Sequence, residues 1–337
     1  MQLALLQSIA PRNPVRPEMR SFGQLILRLF WVGLALLAIL LTGGPLAGFF
    51  SDRNLQCEWA THFQLQYVVL LGIIALIFAL DGRVRWATYA MVVAVAAFSY
   101  HLLPLYFGPS PPAVEQRALR LVSANLAFFN QSKPAFIDFV RAEKPDVILL
   151  FEVTKEWSEV LSKLDAEYPH RKMLTHEWRD GIAVFSKFAS DDMRIDTIGK
   201  SPIAVIVGTL KLPGEKQLTL VGAHPESPIR WADTLHRNDQ IAELAKLVSS
   251  LPQPLVLAGD LNTSGWNPVF KQLLFATGLR DSRLGFGIQS TWNMMRPLIR
   301  TPIDHCLVSP QVQVLDRRTG TYFGSDHLPI IVDLQTR

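Results

Sequence analysis

Three nearly unbroken apolar runs occupy the first third of the chain, and none like them follows. The first, FGQLILRLFWVGLALLAILLT at 22–42, is long enough for a helix to cross a bilayer, with Arg28 close enough to its start to snorkel. A second covers 63–80. A third covers 86–107, with Trp and Tyr toward its ends, where interfacial anchors are expected. A cleavable leader suits the first run poorly, because two further runs follow and no small-x-small site closes it. A buried helical hairpin in a soluble core is the remaining alternative, disfavoured by three such runs in close succession. His101 and Pro104 read as the outer end of the third span rather than as an ion path.

Beyond residue 108 the pattern changes. GPSPPAVEQ opens a Pro-rich linker, 108–117, of the kind that separates modules. Short apolar strands then alternate with amphipathic helices from 118 to 335. ALRLVSANLAFF, PDVILLFEV, GIAVFSK, SPIAVIVGTLKL, QLTLVGAHPES, PLVLAGDLNTS, TPIDHCLVS, VQVLDRR and LPIIVDL read as strands. Helices are predicted over SKPAFIDFVRAEK, KEWSEVLSKLDAEY and 233–250, with a short one after Pro268. Hairpins mixed with strand-helix-strand units predict an α/β fold, a two-sheet α/β sandwich with helices outside, preceded by a three-helix transmembrane region.

Charge sharpens the division. The chain is 337 residues with a formal charge of +4, yet seven basic and four acidic residues precede position 113, leaving the rest at +1. The basic balance therefore belongs to the membrane region and is weak support for nucleic-acid binding. Arg12, Arg16, Arg20 and Arg28 flank the first span, Arg83 and Arg85 fill the turn between the second and third, and the intervening loop has only Arg53. Positive-inside counting puts the tail, 1–21, in the cytoplasm and the module after the third span in the periplasm or outside, as in a bacterial inner-membrane protein. Arg117 and Arg120 argue mildly the other way. Cys57 and Cys306 lie in different modules, so neither a disulfide framework nor a cysteine metal site is implied.

Chemistry-bearing residues gather where apolar strands stop. LVSAN ends at Asn125, VILLFE at Glu152, LTLVGAH at His224, LVLAGDLN at Asp260 and Asn262, while Asp304 precedes a strand and Asp326 and His327 follow a Gly-Ser turn. Singly, each is explained by an Asx turn or a solvated strand end. Jointly they mark a site, because strand ends are rigid mounts for reactive groups. Carboxylates and amides without thiols are hard ligands suited to Mg²⁺ or Mn²⁺. No phosphate-binding Gly-rich loop, dinucleotide fingerprint or nucleophile elbow is present. Metal-assisted attack of water on a phosphate ester fits this set best.

The motifs SAN (123–125), FE (151–152), GAHP (222–225), GDLN (259–262), IDH (303–305) and SDH (325–327), in this order, resemble those of the endonuclease/exonuclease/phosphatase superfamily. With the N-terminal spans, the chain also resembles poorly characterised bacterial membrane-anchored members. The resemblance implies a deoxyribonuclease I-like sandwich over 118–335. It implies Glu152 as principal metal ligand with Asn125 beside it and Asp326 as a further metal or water contact. Asp260 would orient or deprotonate water and Asn262 hold a phosphate oxygen. His327, oriented by Asp304, would contact the scissile phosphate, and His224 would stabilise the transition state or assist the leaving group. Ala127 stands where some relatives place an acidic ligand, and His305 where several carry an aromatic, so neither is assigned a role. Arg237 and Gln240, at i and i+3 on one helix, either reach substrate or brace the helix. Trp266 and Trp292 either flank the cleft mouth or pack in the core. The expected function is a membrane-anchored phosphoesterase. The alternatives are a nuclease, which the charge disfavours, a sphingomyelinase-like lipid-headgroup phosphodiesterase, and a non-catalytic membrane interaction module, which the full motif set disfavours.

Overall fold

The computed structural model describes residues 17–108, 117–198 and 203–336, with side chains from 22 onward. Most of the tail expected over 1–21 and of the linker expected over 108–117 lies outside the described residues. So do Arg12 and Arg16.

Among the described residues, three helices are long and apolar enough to cross a membrane: Phe22–Phe50, Leu55–Leu80 and Val84–Tyr106. Their regular parts are α1 (Pro17–Leu46), α2 (Leu55–Ala60), α3 (Gln64–Leu80) and α4 (Val84–Ala97). α3 is apolar all round. Leu71, Ile74, Ala75 and Phe78 pack against Ala38, Ala90 and Ala94, while Val69, Leu70, Ile73 and Leu76 point outward. An apolar outward face is what a lipid-facing helix needs. The third span loosens into a π turn at Phe98–Leu102 and a 3₁₀ turn at Leu103–Tyr106, where Pro104 supplies no N–H. This is the end expected from His101 and Pro104.

The remaining chain forms two six-stranded sheets. The first holds β1 (Leu119–Asn125), β2 (Val147–Phe151), β3 (His170–Leu174), β4 (Ile182–Ser186), β11 (Val312–Thr319) and β12 (Ile330–Thr336), in the order 11-12-1-2-4-3. The second holds β5 (Arg194–Ile198), β6 (Ile203–Lys211), β7 (Gln217–Ala223), β8 (Leu255–Asp260), β9 (Arg280–Asp281) and β10 (Asp304–Val308), in the order 5-6-7-8-10-9. Each sheet contains one parallel pair, β1 with β2 and β7 with β8. Their crossovers are α5 (Lys133–Glu143) and α7 (Trp231–Ser250), and α6 (Lys155–Leu161) and α8 (Pro268–Thr277) complete the outer layers.

Inner faces meet through Leu121, Leu149, Phe151, Leu220, Val256 and Val332. The outer face of the first sheet packs Val122, Ile148 and Leu150 on Phe136, Val140 and Trp157. That of the second packs Val221 and Leu257 on Ile241, Leu244 and Phe270. Burial on both faces explains why the central strands read as continuous apolar runs rather than alternating ones. β3 and β5 were absent from the sequence reading for the converse reason: HRKML and RIDTI are exposed edge strands whose polar residues leave no apolar signature.

The anchor and the sandwich make one interlocked body. Leu102 and Leu105 from the end of the third span bury Trp266, whose Nε1 donates to the His101 carbonyl at 2.9 Å. The amides of Gly285 and Gly287 both donate to the Leu105 carbonyl. The segment between the first two spans also reaches the sandwich: Trp59 Nε1 donates to Pro228 O and Thr301 Oγ1 to His62 O, each at 2.8 Å. That segment and the chain leaving the third helix thus emerge at the same end of the helical bundle, as an up-down-up order of the three helices requires.

Candidate active site

Both parallel pairs deliver their C-terminal ends to one place, and the two sheets are joined there by polar atoms. Asn125, closing β1, donates through Nδ2 to Glu152 Oε1 and to Asp260 Oδ2, each at 3.1 Å. Glu152 follows β2 and belongs to the first sheet's end; Asp260 closes β8 in the second. Asn125 Oδ1 accepts from the Ala127 amide at 2.9 Å, and the Phe128 amide donates to Glu152 Oε2 at 2.9 Å. Ala127, Glu152 and Asn262 all have positive φ, of 54°, 59° and 49°. Left-handed backbone just after β1, β2 and β8 turns the chain sharply at each, and it is held only where the surroundings over-determine it.

The imidazoles approach from the other side. His327 Nδ1 lies 2.9 Å from Asp304 Oδ2, and its Nε2 is 3.7 Å from Asp260 Oδ2. His224 Nε2 is 3.5 Å from the same Asp260 oxygen. Asp304 and Asp260 are direct cross-strand partners on β10 and β8, which fixes the spacing of their carboxylates. The His327 amide donates to Ser325 Oγ at 3.0 Å, and that hydroxyl donates to the Asn125 carbonyl at 2.8 Å, tying the SDH turn to β1. Asp326 accepts from Trp292 Nε1 at 3.0 Å.

The electrostatics follow from burial and crowding. Burial opposes ionisation of Asp260, but the adjacent His327 and His224 outweigh it and hold the carboxyl well below the usual range. Burial likewise disfavours a cationic His327, yet Asp304 and Asp260 push its pKa up to about 10. Asp304 is raised, first by burial. The arrangement is an anionic Asp260 between two imidazoles, one clamped by a second carboxylate.

Asp260, Asp304 and His327 offer ligand atoms within 4.8 Å of one another. The His327–Asp304 hydrogen bond accounts for that crowding, and it commits the ring nitrogen and carboxylate to each other. The opposite side of Asp260 is better suited to a divalent ion. Glu152 is held there by the N–H donors of Asn125 and Phe128, and its second carboxylate neighbour, Asp260, shares the Asn125 amide. Two carboxylates sharing one neutral donor call for a cation, and hard oxygen donors match Mg²⁺ or Mn²⁺. Glu152 offers such a carboxylate at the cavity, and Asp326 lines the same cavity.

These residues open into a cavity of about 1060 Å³ whose lining includes Glu152, His224, Asp260, Asn262, Asp326 and His327. Trp292 also lines it. Two expectations are corrected. Arg237 is fully buried beneath the site and cannot reach substrate, because its guanidinium is committed to Glu58 and to the Asn262 carbonyl. Trp266 is 5 % exposed and belongs to the interface with the anchor, where Leu102 and Leu105 cover it. Gln240, its possible companion, lines the cavity and accepts from the Glu226 amide at 2.8 Å. Sequence reasoning missed the wall formed by Trp59, His62 and Phe63. The one available signal was Glu58, an acid lodged between two apolar runs.

Residues 122–327 match the Endonuclease/Exonuclease/phosphatase family. The chain belongs to that family. Its members are metal-dependent phosphoesterases and nucleases, and the family domain here carries the DNase I-like fold. Among solved structures, it is similar to an endonuclease/exonuclease/phosphatase from Beutenbergia cavernae, at 19 % identity and a TM-score of 0.54, covering 66 % of this chain and 72 % of that one. It is similar to D. rerio TDP2 complexed with single strand DNA product, at 16 % identity and 0.56, covering 65 % and 99 %. It is also similar to the human Nocturnin catalytic domain with bound sulfate, at 18 % identity and 0.53, covering 66 % and 97 %. No curated protein matches the chain in sequence.

Proposed function

We propose that this protein is a membrane-anchored, divalent-metal-dependent phosphoric ester hydrolase. The observation that carries the reading is Asp260: one buried carboxylate touching the Glu152–Asn125 pair on one side and both imidazoles on the other. A divalent ion held by Glu152, Asn125 and Asp326 would supply Lewis-acid charge for the phosphoryl oxygens. The chain's own groups supply the rest. Asp260 Oδ2, too weak a base for free water, would orient the attacking water through a hydrogen bond and accept its proton only late, as bonding to phosphorus makes that water acidic. Its companion Oδ1 is fixed by the Asn262 amide at 2.9 Å, so the accepting oxygen is already aimed. His327, locked through Nδ1 to Asp304, presents Nε2–H to a non-bridging oxygen and stabilises its growing charge. His224, with Nε2 3.5 Å from Asp260 Oδ2, would stabilise the transition state or protonate the leaving oxygen.

A second reading concerns the substrate. The cavity rim carries Trp59, Phe129, Trp178 and Ile229, which are 45 %, 47 %, 60 % and 53 % exposed. Phe63 in its wall is followed directly by α3, so the opening would lie beside the surface of a membrane that α3 crosses. An apolar rim there, with Arg179, Arg230 and Arg296 in the lining, favours the phosphodiester of a lipid headgroup over a nucleic-acid duplex, which needs a broad basic face. The test is a panel run on the full chain in lipid nanodiscs with Mg²⁺, Mn²⁺ or EDTA. It includes bis(4-nitrophenyl) phosphate, phosphatidylcholine and sphingomyelin vesicles, and single-stranded and duplex oligonucleotides. Metal-dependent hydrolysis of a small ester supports the general reading, and vesicle hydrolysis the lipid one. Cleavage confined to oligonucleotides makes the protein a nuclease. Silence across the panel leaves a non-catalytic interaction module.

A further inference from the structure

Between the first two spans, Glu58 on α2 is 1 % exposed, although nothing in a short connector demands a buried acid. It is buried because it enters the sandwich. Its Oε1 accepts from Arg237 Nη2 at 2.5 Å and its Oε2 from Asn267 Nδ2 at 2.7 Å. Asn267 Nδ2 also donates to Thr61 Oγ1, and the Ser264 amide donates to His62 Nδ1 at 3.2 Å. Arg237, itself 0 % exposed, passes the contact on: Nη1 donates to the carbonyl of Asn262 at 2.6 Å. Asn262 stands in the left-handed turn whose amide fixes Asp260 Oδ1. The opposite loop is reached as well, since Thr301 Oγ1 donates to His62 O and Thr301 pairs with Trp292, which in turn bridges to His327.

We propose that the segment between the first two spans is a working wall of the active site, with Glu58 a positioning residue that acts through Arg237 on the Asn262 turn. A buried ion pair is a poor source of stability, because desolvation offsets its attraction, but it fixes geometry when every donor and acceptor is matched. Here both Glu58 oxygens are matched and the guanidinium is shared between the anchor and the turn beneath Asp260. The catalytic geometry therefore depends on the membrane region being docked, and Trp59 and Phe63 shape the cavity that substrate enters. The catalytic arm of the test rests on the phosphoesterase reading; the structural arm does not.

The experiment uses the full chain in nanodiscs, parent against Glu58→Gln. Hydrogen exchange at the amides of 261–264 should quicken about tenfold, the loss expected for a hydrogen bond to a charged partner, while β1 and β2 interiors keep their protection. The KM for bis(4-nitrophenyl) phosphate should rise several-fold, because the displaced turn carries Asn262, and a reduced active fraction does not produce such a shift. Glu58→Asp keeps the charge but withdraws it by one methylene. It should move both readouts less, and it decides the question if the Gln variant does not fold. Unchanged exchange at 261–264, or loosening spread evenly over the domain, overturns the proposal. Lack of hydrolysis by the parent defeats the phosphoesterase reading and leaves the exchange result to judge Glu58.

Discussion

Replacing Asp304 by Asn tests how far His327 depends on its partner. The substitution keeps size and one oxygen but removes the charge from the contact made at 2.9 Å with His327 Nδ1. The amide can then present an N–H to Nδ1, which leaves the imidazole neutral with its one proton on Nε2, so the positive charge aimed at the phosphate is lost. Hydrogen bonds to charged groups contribute about 1.5–3 kcal/mol. If that energy is expressed in the transition state, turnover falls roughly 10- to 150-fold. Folding should suffer less, because burial already disfavours ionised Asp304 and the Asp260 charge beside it opposes ionisation further. The assay is kcat for bis(4-nitrophenyl) phosphate at saturating Mg²⁺, alongside thermal unfolding. A variant with the parent's melting temperature and kcat within twofold would refute the assignment of Asp304 as the residue orienting His327.

Two further outcomes follow from other parts of the molecule. His305 lies against Phe270 with ring centroids 4.3 Å apart, and burial, helped by Arg283, pushes its pKa down to about 3. From the ordinary value near 6.5 down to about 3 the unfolded chain binds a proton that the folded chain refuses, so stability falls as pH drops, by up to about 1.4 kcal/mol per unit. Thermal midpoints at pH 7 and 5 should therefore converge for His305→Phe relative to the parent, and an identical pH slope in both would contradict this. Topology is the second: alkaline phosphatase fused after Arg337 should be active and a green fluorescent protein there dark, because six arginines flank the inner ends of the spans. The reverse pattern would place the catalytic domain in the cytoplasm.

Much of the site was legible because strand interiors are apolar and their ends are not. Asn125, Glu152, Asp260 and Asp304 announce themselves as polar residues closing or opening buried runs, and the structure joins the first three by hydrogen bonds and sets Asp304 across from Asp260. The spans were legible for a simpler reason, their length. The docking of anchor on sandwich was not. Glu58 meets Arg237 across 179 positions, and no local periodicity reports a contact of that range. Arg237 and Trp266 stayed open between substrate contact and packing on the same account, and only their contacts with the anchor turn both inward. The edge strands β3 and β5 escaped because exposure removes the alternation that marks a strand.

The central claim is that Glu152 holds a divalent ion for phosphate-ester hydrolysis. It is tested most directly by comparing the parent and Glu152→Gln as full chains in nanodiscs, with and without Mg²⁺. Gln keeps the size of the side chain and its contact with the Phe128 amide but loses the charge. The parent should melt higher when Mg²⁺ is added, as ligand binding to the folded state requires, and should hydrolyse bis(4-nitrophenyl) phosphate only with the metal. The variant should show most of neither, with turnover reduced about 100-fold or more. Equal metal-induced stabilisation and equal turnover in the two proteins would contradict the account.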